Sequence, residues 1–221
     1  LKSSLILVGA GDHGRGTLEI LRARESAGLP VRPILGFVDD ATERQGGLCG
    51  GLPVLGTLDW LLSRAGDPIM LIIALASPEQ KRDLSRRLDA AGFAYADAIH
   101  PSAILGAGLE VGPGAIIGAG VVVAYDTLIG RHTTINLNAS IGHDCVIGDF
   151  STIAPGVNMT GRVRLLEGTV VQTNATLVPG IKLGPWAQVG PGAVVLQDVA
   201  EGEAVFGNPA RKMSAAKREH P

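Results

Sequence analysis

His143, Asp144 and Cys145 stand side by side, and each residue type could take part in group transfer. A histidine titrates near neutrality, so it can take the proton from an attacking amine or hydroxyl; a positioned base contributes roughly 10²–10⁴-fold. A carboxylate such as Asp144 can orient the imidazole. A thiol such as Cys145 would offer a covalent route instead. The second chemical feature is Gly9-x-Gly11-x-x-Gly14, with Asp12 and His13 inside it. It falls between an apolar strand and a helix, where backbone N–H groups can hold a phosphate. Asp39 and Asp40 end the next strand and could accept hydrogen bonds from a ribose or a base.

The elements that must position these residues come in two kinds. From Ile99 to Ala200 the chain is written in seventeen hexads whose first residue is always aliphatic or Met, as in Ile135, Ile141, Ile147, Ile153 and Met159. Such a period fits neither a helix nor an ordinary strand. It predicts short flat sides, one hexad each, wound three to a turn into a prism. The fifth position is small or branched, as at Ala139, Cys145 and Val157. It lies two residues before the next first position, so both point into the narrow interior. The fourth position is Gly, Asn or Asp in twelve of the seventeen hexads, which suits a sharp corner. Eighteen residues per turn stack Tyr125, His143 and Gly161 on one edge. His143 then projects outward at a corner, where a solvated surface role is the plain alternative. Cys145 points inward and reads as a small core residue, which predicts direct transfer without an acyl-enzyme. A backbone N–H at Gly161, one coil from His143, could polarise a carbonyl as an oxyanion-hole donor does.

Before the hexads the pattern alternates: a strand Ser4–Val8, a helix Arg15–Ala27, a strand Val31–Val38, a strand Ile69–Leu75 and a helix Pro78–Ala91. That order predicts a parallel α/β sheet. The boundaries are 1–98 for a Rossmann-like domain, 99–205 for the prism and 206–221 for a short tail. A net charge of −2, with no Lys/Arg cluster except at the tail, argues against a nucleic-acid protein, and two Cys give no disulfide framework. No apolar run reaches membrane-spanning length and no signal peptide precedes the first strand, so a cytoplasmic location is expected.

An α/β domain opening with Gly-x-Gly-x-His-Gly and followed by a hexad prism resembles the bacterial nucleotide-sugar N-acetyltransferases that act on amino sugars, with the related sialic acid O-acetyltransferases. The likeness runs over nearly the whole chain. Its strongest blocks are Asn136 to Phe150 and Gly207-Asn208-Pro209-Ala210-Arg211. The resemblance implies a left-handed parallel β-helix, a homotrimer with active sites between subunits, and a nucleotide-linked amino sugar bound by the first domain. It implies acetyl-CoA as cosubstrate and no metal. It assigns the catalytic base to His143, with Asp144 and Asn136 beside it. To the substrate contacts expected at Gly11, Asp12, His13 and Gly14 of the loop and at Asp39 and Asp40 of the strand end, the resemblance adds Ser77. It maps acetyl-CoA contacts to Gly161, Thr173, Gly190 and Pro191. Some members carry a second histidine nine residues after the first; here that residue is Thr152.

The sequence also fits rival readings. O-acetylation of a sugar or sialic acid needs the same base. The glycine fingerprint alone fits a nicotinamide-dependent oxidoreductase, although the domain is only about one mononucleotide-binding half. Some hexad prisms bind zinc through three histidines, as γ-type carbonic anhydrases do, but only His132 and His143 are candidates. Ser77 before Pro78 also reads as a plain helix cap. The basic stretch Lys212–Arg218 is either a solvated tail or a contact for coenzyme A phosphates. The nucleotide base, the sugar and the position of its amine are open.

Overall fold

The structure, a computed structural model, describes residues 3–212, so the basic stretch Lys212–Arg218 lies outside the described residues beyond its first lysine. The first elements are β1 (Ser4–Val8), α1 (Asp12–Ser26), β2 (Ile34–Val38), β3 (Leu48–Cys49), β4 (Leu52–Gly56), α2 (Leu58–Leu62), β5 (Ile69–Ile73), α3 (Pro78–Ala90) and β6 (Ala94–Tyr95). They form one sheet in the order β3-β4-β2-β1-β5-β6, parallel except for the β3–β4 hairpin. Alternate residues of β1 serve opposite faces. Leu5 and Leu7 pack with Leu18 and Leu21 of α1, while Ile6 and Val8 pack with Leu61 and Leu88.

The expected α/β pattern is present, with shifted ends and an unforeseen middle. The first helix begins at Asp12, three residues before the expected Arg15, because Gly14 belongs to its first turn. A Cβ at Gly14 would collide with the carbonyl oxygen of Gly9, so only glycine lets the helix start this close to the strand. The second strand begins at Ile34, after Pro33 has removed a donor. The β3–β4 hairpin turns through Gly50 and Gly51, both with positive φ. That glycine pair is a hairpin signal in the sequence, and strands this short hid it.

The prism begins at Ala98–Ile99, which pairs with Ile116–Ile117. Its first face then runs up to Gln188–Val189 and Ala204–Phe206. The second stacks Ile104–Leu105 up to Val194–Val195. The third stacks Glu110–Val111 up to Lys182–Leu183. Pairing is parallel with partners eighteen residues apart, as in Ile117 with Ile135, Ile141 with Met159 and Ile147 with Leu165. First- and fifth-position side chains share one continuous core, Cys145 included. At the far end Arg211–Lys212 lies antiparallel on Ala204–Phe206 and covers the last open edge of the first face.

Every fourth position from Gly108 to Gly192 has positive φ. The residues there that are not Gly, Asn or Asp are His132, Phe150, Arg162 and Trp186. A left-handed backbone costs such residues roughly 1–2 kcal/mol each. Three of them share the corner between the third and first faces, and α3 and β6 pack there. Tyr95 meets the His132 ring edge-on at 4.4 Å, and His132 stacks on Phe150 at 5.6 Å. The Arg82 guanidinium lies 4.6 Å over Trp186, and Arg131 pairs with Asp89 at 2.9 Å. The strained corner is thus offset by the docking of the first domain.

Candidate active site

The corner between the second and third faces carries Tyr125, His143 and Gly161 in one column. The Tyr125 and His143 rings are stacked, with centroids 5.2 Å apart and planes 11° from parallel. Asp144 has φ 56°, and its carboxylate Oδ2 lies 2.6 Å from Nδ1 of His143. A proton on Nδ1 would be held there, leaving Nε2 with its lone pair outward. A Cβ placed on Gly161 would lie 2.6 Å from Nε2, so the ring fits only because residue 161 is glycine. The Gly161 N–H has no backbone acceptor among the described residues. An acyl oxygen bonded to that N–H would sit beside Nε2. The corner can therefore hold a carbonyl and accept a proton within one small volume.

Cys145, next in sequence, is fully buried, and its thiol donates to the Thr160 carbonyl at 3.2 Å. Burial raises its pKa, which keeps it a thiol and a poor nucleophile.

A second group of residues lies on the corner between the first and second faces. Thr173 and Pro191 are exposed there, one coil apart. Gly190 is buried beneath the Phe206 ring, so contact with a cosubstrate through an open Gly190 surface is not present. Asn136 lies beside this corner, and its amide donates to the Ile153 carbonyl at 3.1 Å. It lines a groove of about 260 Å³ with Asp12, His13 and Thr17 of α1 and with Thr134 and Leu137 of the prism. Asn136 and His143 thus belong to different edges of one chain. Burial and the charge of Lys81 lower the His13 pKa.

The first domain offers a cavity of about 310 Å³ at the carboxyl ends of β1 and β2, lined by Gly9, Asp39, Asp40, Arg44, Gln80 and Leu84. Sequential strands leave β1 in opposite directions here, the usual place for a ligand on an open parallel sheet. Gly11, the cap of α1 with backbone φ −84°, is not part of this lining. Asp39 accepts from the Ala10 and Ala41 N–H groups and from Arg44 at 2.7 Å. Burial alone would raise its pKa, but those bonds hold it below the ordinary carboxylate value. Asp40 accepts from the Leu58 N–H at 2.7 Å and starts α2. Both carboxylates are therefore engaged in shaping the cavity, which the strand-end reading did not anticipate. Ser77 caps α3 by accepting from the Gln80 N–H at 3.2 Å, the plain role. Arg44 was not foreseen. It arrives on a single 3₁₀ turn, Thr42–Arg44, and its guanidinium stands next to Gly11. No sequence signal marks it apart from its nearness to Asp39.

His132 is buried at the α3 corner and lies away from His143. Burial and the charges of Arg131 and Lys81 push its pKa down to about 4. Among the described residues no group of three His, Cys, Asp or Glu converges as a metal site, and no helix is long and apolar enough to cross a membrane.

Residues 4–88 match the family described as PglD N-terminal domain. A GDP-perosamine N-acetyltransferase from Escherichia coli is 31% identical over 216 residues, covering 94% of this chain and 95% of that protein. The crystal structure of PerB from Caulobacter crescentus, in complex with CoA and GDP-perosamine, is 28% identical with a TM-score of 0.86. It covers 97% of this chain and 99% of its own. The acetyltransferase domain of PglB from Neisseria gonorrhoeae, in complex with acetyl coenzyme A, is 27% identical with a TM-score of 0.85, covering 96% and 100%. The prism is accordingly a left-handed parallel β-helix.

Proposed function

The chain belongs to the hexapeptide-repeat nucleotide-sugar N-acetyltransferases, enzymes that use acetyl-CoA to acetylate a nucleotide-linked amino sugar, and we propose that its acceptor is GDP-perosamine or a close analogue. The oxidoreductase and zinc readings of the sequence give way to this one. The observation that carries the catalytic reading is the 2.6 Å bond between His143 Nδ1 and Asp144, with Nε2 above Gly161. In this reading Nε2 takes the proton from the sugar amine as its nitrogen bonds to the thioester carbon. Asp144 stabilises the imidazolium that forms. The Gly161 N–H holds the developing oxyanion. The carbon–sulfur bond then breaks, and the proton on Nε2 passes to the departing thiolate. The buried Cys145 takes no part.

The same reading makes the working enzyme a homotrimer. The His143 corner and the Asn136–Thr173 corner lie on opposite edges of the second face. That face exposes Ile104 and Val122, and Leu137 and Tyr125 stand exposed at its edges. A neighbour packed along this face would bring its His143 to the groove that holds His13 and Asn136. Covering those apolar side chains supports the same arrangement. Acetyl-CoA would lie along the Thr173–Pro191 corner of one copy, and its supply puts the reaction in the cytoplasm.

A thiol-release assay with acetyl-CoA and GDP-, UDP- and dTDP-linked amino sugars tests the proposal. Preference for the GDP-linked acceptor by at least tenfold in kcat/KM is expected. Equal or better use of another nucleotide would remove the GDP assignment. Equal use of a sugar hydroxyl would restore O-acetylation.

A further inference from the structure

Lys81 is fully buried, and among the described residues it forms no ion pair with a carboxylate. It rises from α3 and donates to three oxygens of the prism: the His132 carbonyl at 3.0 Å, Thr152 Oγ1 at 3.3 Å and Thr134 Oγ1 at 3.4 Å. An ammonium has three donors, so each finds one neutral acceptor. Burying an amine this way is costly, and a methionine of equal length would fill the space without that cost. What an apolar side chain could not do is fix direction.

The place of α3 makes direction matter. Gln80 and Leu84 line the nucleotide cavity, while Lys81, Arg82 and Asp89 of the same helix meet the prism. The helix is a plate between the nucleotide site and the β-helix. Thr134, one of the Lys81 acceptors, also lines the groove that holds His13 and Asn136.

We propose that Lys81 is a positioning residue that sets the span between the nucleotide cavity and the reaction groove, so that the amine of a nucleotide-linked sugar stops at the right depth. The proposal rests on the reading of the first domain as the nucleotide-sugar site. Lys81 touches no reacting atom. Burial lowers its amine to about pKa 7, and either protonation state keeps at least two donors for the three acceptors. A misplacement of about 1 Å between reacting groups lowers turnover on the order of 10²-fold.

The test compares wild type with Lys81→Met, measuring kcat and KM for the linked amino sugar and calorimetric affinities for GDP and acetyl-CoA. We expect both affinities within about threefold of wild type and a kcat lower by about 10- to 100-fold. A kcat within about threefold would overturn the proposal. So would a loss of GDP affinity that matches the loss of turnover, because Lys81 would then only build the cavity. Should Lys81→Met fail to fold, Thr152→Val removes one acceptor at equal volume, and the same split in smaller degree is expected. A wild-type enzyme that neither binds GDP nor acetylates a linked amino sugar would instead sink the functional reading, whatever the variants do.

Discussion

His143 Nδ1 and Asp144 Oδ2 stand 2.6 Å apart although the two residues are adjacent in the chain. Adjacent side chains on an extended segment point to opposite sides. Here the left-handed corner, with φ 56° at Asp144, turns the carboxylate back to the ring. The geometry that bends the prism also brings the carboxylate to the imidazole.

Removing the imidazole should therefore lower turnover without unfolding the coil. His143→Ala is expected to reduce kcat by roughly 10²–10⁴-fold while the circular dichroism spectrum and the thermal midpoint stay close to wild type. Asp144→Asn should give a smaller loss. Near-normal thiol release by His143→Ala would remove this residue as the base.

The ring needs the space above Gly161. In Gly161→Ala the new methyl would stand 2.6 Å from the native position of Nε2. Displacing the ring should lower kcat on the order of 10²-fold, with folding intact because the position is on the surface edge. Unchanged turnover would show that the ring does not work from this pose.

Cys145 gives the opposite expectation. Cys145→Ala should keep turnover within a few-fold and lose about 1–2 kcal/mol in a urea melt, as a small buried truncation does. Full loss of activity in a folded Cys145→Ala protein would argue for a covalent acyl-enzyme.

Lys81 should leave a signature in stability against pH. Its folded pKa is about 7, against an ordinary 10.5, so between those values the unfolded chain binds a proton that the folded chain lacks. Stability then rises with pH across that window, by up to about 1.4 kcal/mol per unit, and this contribution is lost as pH falls toward 7. The titratable groups that feel its charge are His13 and His132, both lowered, and neither titrates inside the window. Urea melts at pH 7 and pH 9.5 should show a gain at high pH in wild type that Lys81→Met lacks. Parallel slopes for the two proteins would contradict the assignment.

Much of this could be read from residue order. The hexad register alone separates Cys145, which faces in, from His143, which faces out, and it stacks Tyr125 and Gly161 on the same edge. It also marks the corners, because left-handed turns favour Gly, Asn and Asp. His132, Phe150 and Trp186 break that pattern. They are the residues that receive α3, and only the docked domain explains why a strained backbone is tolerated there. Lys81 is invisible for a related reason. It sits in a polar stretch with Glu79, Gln80 and Arg82, and nothing local tells a solvated lysine from one whose partners lie 51 to 71 residues away. Asn136 and His143 are seven residues apart in order, yet they lie on different edges, since a hexad shift moves a residue one face around the prism.

The short antiparallel strand Arg211–Lys212 has a consequence for assembly. A stack of parallel coils ends in an unpaired row of N–H and C=O groups, which is a template for the first coil of another molecule. End-to-end addition on that edge would propagate without closing and yield filaments. The reversed strand meets Ala204–Phe206 in the wrong direction for continued winding, and it brings two cations to the rim, one of them 3.6 Å from Glu203. The strand thereby blocks continued parallel winding on that edge of the first face.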